Sequence, residues 1–404
     1  MTTTAGLTSA LEAAVDAVAR EVVAVRRDVH ANPELAWQES RTTEVVANRL
    51  LVAGVEVERL GGTGLFAEIG EPGCPVVALR ADLDALPVRD TTSDPWRSRT
   101  PGVAHACGHD VHTAALLGAG LALQAVHTDT ETGPLPVRVR LIFQPAEEIM
   151  PGGANEAIDA GALKDVQHIF AVHCDPSLDV GSVGLREGAV TGAADAIVVR
   201  LTGRGGHTSR PHLTEDLTYA LGALITGLPA ALSRRLDPRA GASLVWGRVE
   251  AGGAPNVIPA TGEAAGTLRM LDASAWHDAE HLVRSLIAEV VAPYGVSAQV
   301  TYTRGVPPVV NEPSATAVLR DSVCAVLGPA GVATTSQSLG GEDFAWYVEA
   351  VPGAMARLGT RTPGGATYDL HQGNLRIDER AVAIGAKLLA CAALLAVLSP
   401  ASGR

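Results

Sequence analysis

The sequence predicts an α/β protein of two domains, one of which interrupts the other. Three observations carry this reading. A chain of 404 residues and 41.5 kDa has room for two to three domains at about 150 residues each. Nearly unbroken apolar runs such as Pro75–Arg80 alternate with helical patterns, as in a mostly parallel sheet covered on both faces. Within residues 187–303 the order becomes strand, helix, strand, strand, helix, strand, the order of the split βαβ, ferredoxin-like α+β unit. The domain limits are therefore 1–186 with 304–404 for the outer, discontinuous α/β domain and its central sheet, and 187–303 for the inserted one.

Taken in order, Leu7 to His30 places Leu11, Val15, Val18, Val22, Val25 and Val29 at helical spacing, and Asn32-Pro33 stops it. A second helix runs from Ser40 to Val52, with Gly54 suited to its end. Strands are expected at Val55–Leu60, Gly64–Ile69 and Pro75–Arg80, the last delivering Asp82 and Asp84. A helix over Val111–Val126 precedes a strand at Val137–Phe143, a helix at Gly153–Ala160 and a buried strand at His168–His173. The inserted pattern reads Ala193–Thr202, Asp216–Arg235, Ala242–Glu250, Gly262–Leu271, Ser274–Val291 and Ser297–Arg304. After Pro307-Pro308 come helix 313–327, strand 332–336, helix 342–349, strand 354–358 and helix 378–398.

Composition excludes several classes. Hydrophobic residues at 47% can build a large core, and a net charge of −13 argues against nucleic acid and against an anionic membrane. The five cysteines are odd in number and widely spaced, unlike a disulfide framework and in keeping with a reducing cytoplasm. The N-terminus lacks the basic start of a signal peptide and carries Glu12, Asp16 and Glu21. Leu388–Leu398 is the most apolar stretch, but it is shorter than the ~20 residues that span a bilayer and is expected to be a buried helix.

Polar residues gather where buried strands end: Asp82 and Asp84, Glu147 and Glu148, His173. Open α/β sheets place ligands there. Between them lies His105-Ala106-Cys107-Gly108-His109-Asp110-Val111-His112. Thiolate, imidazole and carboxylate are ligands for zinc and for manganese, cobalt or nickel, and Gly108 permits a turn that lets Cys107 and His109 face one ion. Glu147 and Glu148, as neighbours on an extended segment, point opposite ways, one toward metal and one toward a water. His112 is expected to cap or pack on its helix. His30, His127, His168, His277 and His281 are expected to be surface or core residues without chemistry.

These residues, with further motifs along nearly the whole chain, resemble the metal-dependent amidohydrolases of the aminoacylase, hippurate hydrolase and indoleacetyl-amino-acid hydrolase group. The motifs are His30-Ala31-Asn32-Pro33-Glu34, Arg80 to Pro87, His105 to His112, Gln144 to Glu148, Ala171-Val172-His173, Gly205 to His212, Pro255 to Pro259, Gly266 to Arg269, Gly340 to Phe344 and Leu370-His371. The resemblance implies a catalytic α/β domain with one or two divalent ions and an inserted domain acting as lid and homodimer interface. It implies Cys107, His109, Glu148, His173 and His371 as ligands, with Cys107 where related metallopeptidases carry a bridging aspartate. It implies Glu147 as general base, Asp84 as an orienting carboxylate, His207 as a lid histidine that polarises the scissile carbonyl, and Asn256 and Arg269 as substrate-holding residues. Asp82 stands where those relatives carry a histidine. Gly373 and Leu375 replace the group's usual Pro and Phe after the final histidine.

The activity so implied is hydrolysis of an N-acyl amino acid: a metal-bound water, deprotonated by Glu147, attacks the amide carbon, and the proton passes to the leaving amine. Two rivals are a dipeptidase or aminopeptidase using the same machinery, against which Cys107 argues, and a non-catalytic metal-holding protein, against which Glu147 argues.

Overall fold

The structure, a computed structural model, describes residues 3–398. It divides into two compact units, Met1–Val190 with Val310–Ser336 and Asp343–Arg404, and Thr191–Val309 with Gln337–Glu342. The divisions thus fall at 190/191 and 309/310 rather than at 186/187 and 303/304. The reasons are local. Gly188–Ala189 pairs with Val310–Asn311 and stays with the first unit, while the last strand of the insert continues to Val306. Gln337–Glu342, expected in the first domain, belongs with the second, where the Gly192 N–H donates to the Gly340 carbonyl.

The first unit is built on an eight-stranded sheet. Its strands are β1 (Val57–Arg59), β2 (Leu65–Ile69), β3 (Val76–Asp82), β4 (Arg138–Gln144), β5 (Val166–Asp179), β6 (Val183–Leu185), β7 (Val332–Thr334) and β8 (Gly353–Arg361). They lie in the order β1-β2-β4-β3-β5-β8-β6-β7. The centre, β4-β3-β5-β8, is parallel, and β1, β2 and the β8–β6 step are antiparallel. Every residue of β3 is buried, as its apolar run requires of a strand covered on both faces. Helices Thr4–Ala31, His109–Thr128 and Arg380–Leu398 pack on one another. The middle one is buried from His109 to Leu123, and a Cβ at its Gly120 would stand 2.4 Å from Leu141 Cδ1, so glycine lets it lie close to the sheet. Arg380–Leu398 is long and apolar enough to cross a membrane, yet Leu388, Leu389, Cys391, Ala393 and Leu394 are core residues.

One strand differs from expectation in a way that shapes the site. β5 does not end at His173 but runs on to Asp179, because β8 keeps pairing with it as far as Arg361. On its other side β3 pairs with it only as far as Ala171. His173 therefore stands on a strand supported from one side and open on the other.

The second unit has the predicted connectivity. Strands Ala193–Thr202, Ser243–Ala251, Thr261–Met270 and Ser297–Val306 form an antiparallel sheet in the order second, third, first, fourth. Helices Leu217–Arg235 and Ala273–Val291 begin at Asp216 and Asp272, whose side chains accept the Tyr219 and Ala275 N–H groups. Ser243–Ala251 is an edge strand with Val245 and Val249 exposed.

Candidate metal centre

The turn at Gly108, with φ at 91°, starts the helix at His109 and sends Cys107 and His109 into one cleft. A Cβ at Gly108 would stand 2.8 Å from Cys174 Sγ, so the turn needs glycine for conformation and for space. Three strands supply the rest of the cleft: Asp82 ends β3 and Asp84 follows it, Glu147 and Glu148 follow β4, and His173 lies within β5.

Four of the five candidate ligands, all but Cys107, are oriented by a second contact. His109 Nδ1 lies 2.9 Å from the Asp84 carbonyl oxygen and 3.3 Å from its Oδ1. That leaves Nε2 facing inward, 3.8 Å from Glu148 Oε1 and 3.9 Å from Glu147 Oε2. The other Asp84 oxygen accepts the Glu148 N–H at 2.9 Å, so Asp84 orients one candidate ligand by its ring and another by its backbone. His173 Nδ1 lies 2.9 Å from the Cys174 carbonyl, and its Nε2 lies 3.6 Å from Cys107 Sγ. His371 takes a left-handed φ of 62°, donates its N–H to the Ala106 carbonyl at 2.7 Å, and brings Nε2 to 3.4 Å from Glu148 Oε1.

The donor atoms of Cys107, His109 and His173 lie within 4.8 Å of one another, as do those of Cys107, Glu148 and His371. The sulfur common to both sets is where a ligand shared between two ions would sit. His109 Nε2 and Glu148 Oε1 are buried without a hydrogen-bond partner. Buried polar atoms are rarely left so, and a cation between them accounts for both. Burial pushes the Cys107 thiol up and the His173 imidazole well down, the latter helped by the Arg357 charge. A neutral imidazole is a ligand as it stands, whereas the thiol needs a cation to lose its proton. The donor set thus fits one or two divalent ions.

Asp82 and His112 form a further cluster with His109, but their atoms are engaged. Asp82 accepts Arg80 Nη1 at 2.7 Å and faces His112 Nδ1 at 2.7 Å, while His112 Nε2 accepts the Cys174 N–H at 2.8 Å. Asp82 therefore holds Arg80 and His112 in place. His30, expected to have no chemistry, is buried 2.8 Å from Asp110, which also pairs with Arg26 at 2.7 Å, and so fastens the first helix to the one carrying His109. Asp343 accepts Arg80 at 2.6 Å and Gln144 at 2.7 Å, so it ties β3 to the end of β4. Gly373 has a packing reason. A Cβ there would lie 1.9 Å from the Arg89 carbonyl, which leaves no place for proline. Leu375 is buried nearby.

In the second unit His207 lies on a two-residue strand paired with Val257–Ile258, and the Asn256 carbonyl accepts the Thr208 N–H at 3.3 Å. His207 and Asn256 thus share one corner. His207 Nδ1 lies 3.1 Å from the Ser209 N–H and 2.9 Å from its hydroxyl, and the residue is exposed. Arg269 sits far along the strand Thr261–Met270 and donates to the Leu339 carbonyl.

Thiol, imidazole and carboxylate groups that converge beside a mostly parallel sheet make a metal centre of the kind that metal-dependent hydrolases use. The chain belongs to Peptidase family M20/M25/M40, whose profile matches residues 78–395. It is similar to the crystal structure of the Bacillus subtilis YXEP protein, a dinuclear metal binding peptidase from the M20 family: 32% identity, TM-score 0.81, 95% of this chain and 100% of that one. N-acetyl-L-cysteine deacetylase of Bacillus subtilis (strain 168) is 35% identical over 365 residues, 90% of this chain and 85% of the relative. A longer protein of Rhodococcus jostii (strain RHA1), named as a glutamate–cysteine ligase 2-3, is 50% identical over 371 residues, 92% of this chain. This chain spans about half, 46%, of that relative's length.

Proposed function

We propose that the protein hydrolyses the amide bond of N-acyl amino acids, releasing a carboxylic acid and a free amino acid. The observation that carries this is the glutamate pair, with Glu147 and Glu148 both within 4 Å of one inward imidazole nitrogen of His109. Cys107, His109, Glu148, His173 and His371 hold the ion, which when bound polarises the scissile carbonyl and acidifies water. Zinc, manganese, cobalt and nickel all suit this mixed donor set. Glu147 takes the proton from the attacking water and returns it to the leaving amine. His207 donates to the developing oxyanion through Nε2, since Nδ1 is engaged by Ser209. Asn256 and Arg269 hold the substrate, Arg269 by pairing with its carboxylate.

The active form is a homodimer in which the second unit is lid and interface and the first is catalytic. The exposed edge strand Ser243–Ala251, with Val245 and Val249 outward, supports this, because unpaired edges invite pairing. So does the spacing of the substrate groups. From Thr261 to Arg269 the strand runs ~26 Å, and the His207–Asn256 corner lies beyond its Thr261 end. One small substrate touched by both needs them from two chains. Five free cysteines suit a reducing cytoplasm.

The test is free-amine release by metal-loaded enzyme across a panel of N-acyl amino acids and dipeptides. Turnover of the N-acyl compounds with little on dipeptides is expected. The reverse would favour the peptidase reading, for which the family's name gives ground.

A further inference from the structure

The loop that carries the two glutamates contains one residue in an unusual conformation. Ala146, immediately before Glu147, has φ at 56°, in the left-handed region that side chains other than glycine seldom adopt. Both of its peptide groups are held. The Ala146 carbonyl accepts the Gly153 N–H at 3.0 Å. The Ala146 N–H donates at 2.8 Å to Oε1 of Glu39, which lies 107 residues earlier in the chain and is wholly buried.

We infer that Glu39 is a positioning residue for the reaction: its carboxylate fixes Ala146 in the left-handed geometry that turns Glu147 and Glu148 to separate tasks. The inference rests on reading Glu147 as base and Glu148 as ligand. Glu39 is itself tightly framed. Its other oxygen accepts the Thr63 hydroxyl at 2.6 Å, and its carbonyl accepts the Thr43 hydroxyl at 2.7 Å, whose oxygen in turn takes the Gly64 N–H at 2.8 Å. A buried carboxylate is unfavourable unless its oxygens are used, and here one is spent on the loop and one on its own support. A leucine of similar size would fill the space but leave the Ala146 N–H without an acceptor. Ala146 could then return to a negative φ, and the two glutamates beyond it would rotate together. Displacement of reacting groups by about 1 Å costs on the order of 10²-fold in rate.

The test compares Glu39→Leu, Glu39→Gln and Glu39→Leu combined with Ala146→Gly. Turnover and KM are measured on metal-loaded enzyme, and backbone hydrogen exchange of the 144–149 segment on metal-free enzyme. Glu39→Leu should exchange faster in that segment and lose about 10²-fold in kcat with little change in KM. Glu39→Gln, whose amide oxygen still accepts from Ala146 and whose amide N–H can reach Thr63, should stay within about 3-fold. Glycine at 146 occupies positive φ without a Cβ penalty, so the double variant should recover about 10-fold of the loss. Unchanged exchange in Glu39→Leu, faster exchange with normal kcat, failure of the double variant to recover, or equal loss in Glu39→Gln would each overturn the inference. Should Glu39→Leu not fold, Glu39→Asp replaces it. Its carboxylate falls one methylene short of Ala146, and exchange or turnover like the native enzyme's would overturn the inference. The exchange measurement does not depend on which glutamate is the base. A Glu147→Gln enzyme that keeps its rate would overturn the mechanism while leaving the exchange result to stand or fall separately.

Discussion

The cleft at the strand ends of the first unit and the His207–Asn256 corner of the second are built on opposite principles. In the cleft His109, Glu148 and His173 are each aimed by a second, mostly backbone, partner, and most of the atoms are buried. At the corner, the His207 imidazole leans on Ser209, two residues on, and is exposed. The difference teaches which part of the chemistry is preorganised within one chain. Burial makes electrostatic interactions strong and unpaired atoms costly, so the contacts that aim these groups are effective within the cleft itself. An exposed imidazole gains that strength only when something covers it, as a partner chain or a closing motion does.

The sharpest way to break this comparison is Glu147→Gln. It should leave metal content unchanged and lower kcat by about 10³-fold, within the usual worth of a general base. Metal analysis beside steady-state rates checks it, and near-normal turnover would send the search for a base elsewhere. His207→Ala should cost about 10²–10³-fold in kcat, the scale of one oxyanion donor, again with metal retained. Mixing it with Glu147→Gln sharpens the contrast, because mixed dimers regain one complete site if His207 acts across the interface and stay inactive if it does not. Asp84→Asn touches only the cleft. Loss of an orienting partner should weaken metal affinity by about 10–100-fold, read by competition with a chelating dye.

The smallest effect concerns stability. Burial pushes the Asp110 carboxyl up, but Arg26 and His30 outweigh it and hold the carboxyl well below the usual range. Burial likewise pushes His30 down, and Asp110 outweighs that and raises it. A depressed carboxyl contributes stability that is present above its unfolded value of about 4 and fades as pH falls further. A raised imidazole contributes stability that is present below about 6.5 and fades as pH rises through its folded value. The network should therefore stabilise the metal-free protein most between about pH 4 and 6.5. Asp110→Asn should flatten melting temperature against pH across both limbs, and an unchanged profile would deny the network that role.

Much of this was legible in the sequence because its physics is local. Helical spacing marked a first helix over Leu7 to His30, a nearly unbroken apolar run marked β3, and the insert's pattern marked the order strand, helix, strand, strand, helix, strand. Cys107 with His109 and the adjacent Glu147 and Glu148 stood out by their chemistry, while the full ligand set, His371 included, was what the resemblance implied. What only the tertiary structure decided depends on groups far apart in the chain. Glu39 carries no local mark, since its function lies in an amide more than a hundred residues away. The role of Asp82 was not legible, because Arg80 and His112 meet it only in the fold. His30 is a core residue, as expected, but its partner Asp110 is evident only when the two helices are seen together. Periodicity reports which face of an element is buried, but not which partner meets it there. The pairing of buried polar atoms is settled by packing, since each must find its partner among residues that only the fold brings near.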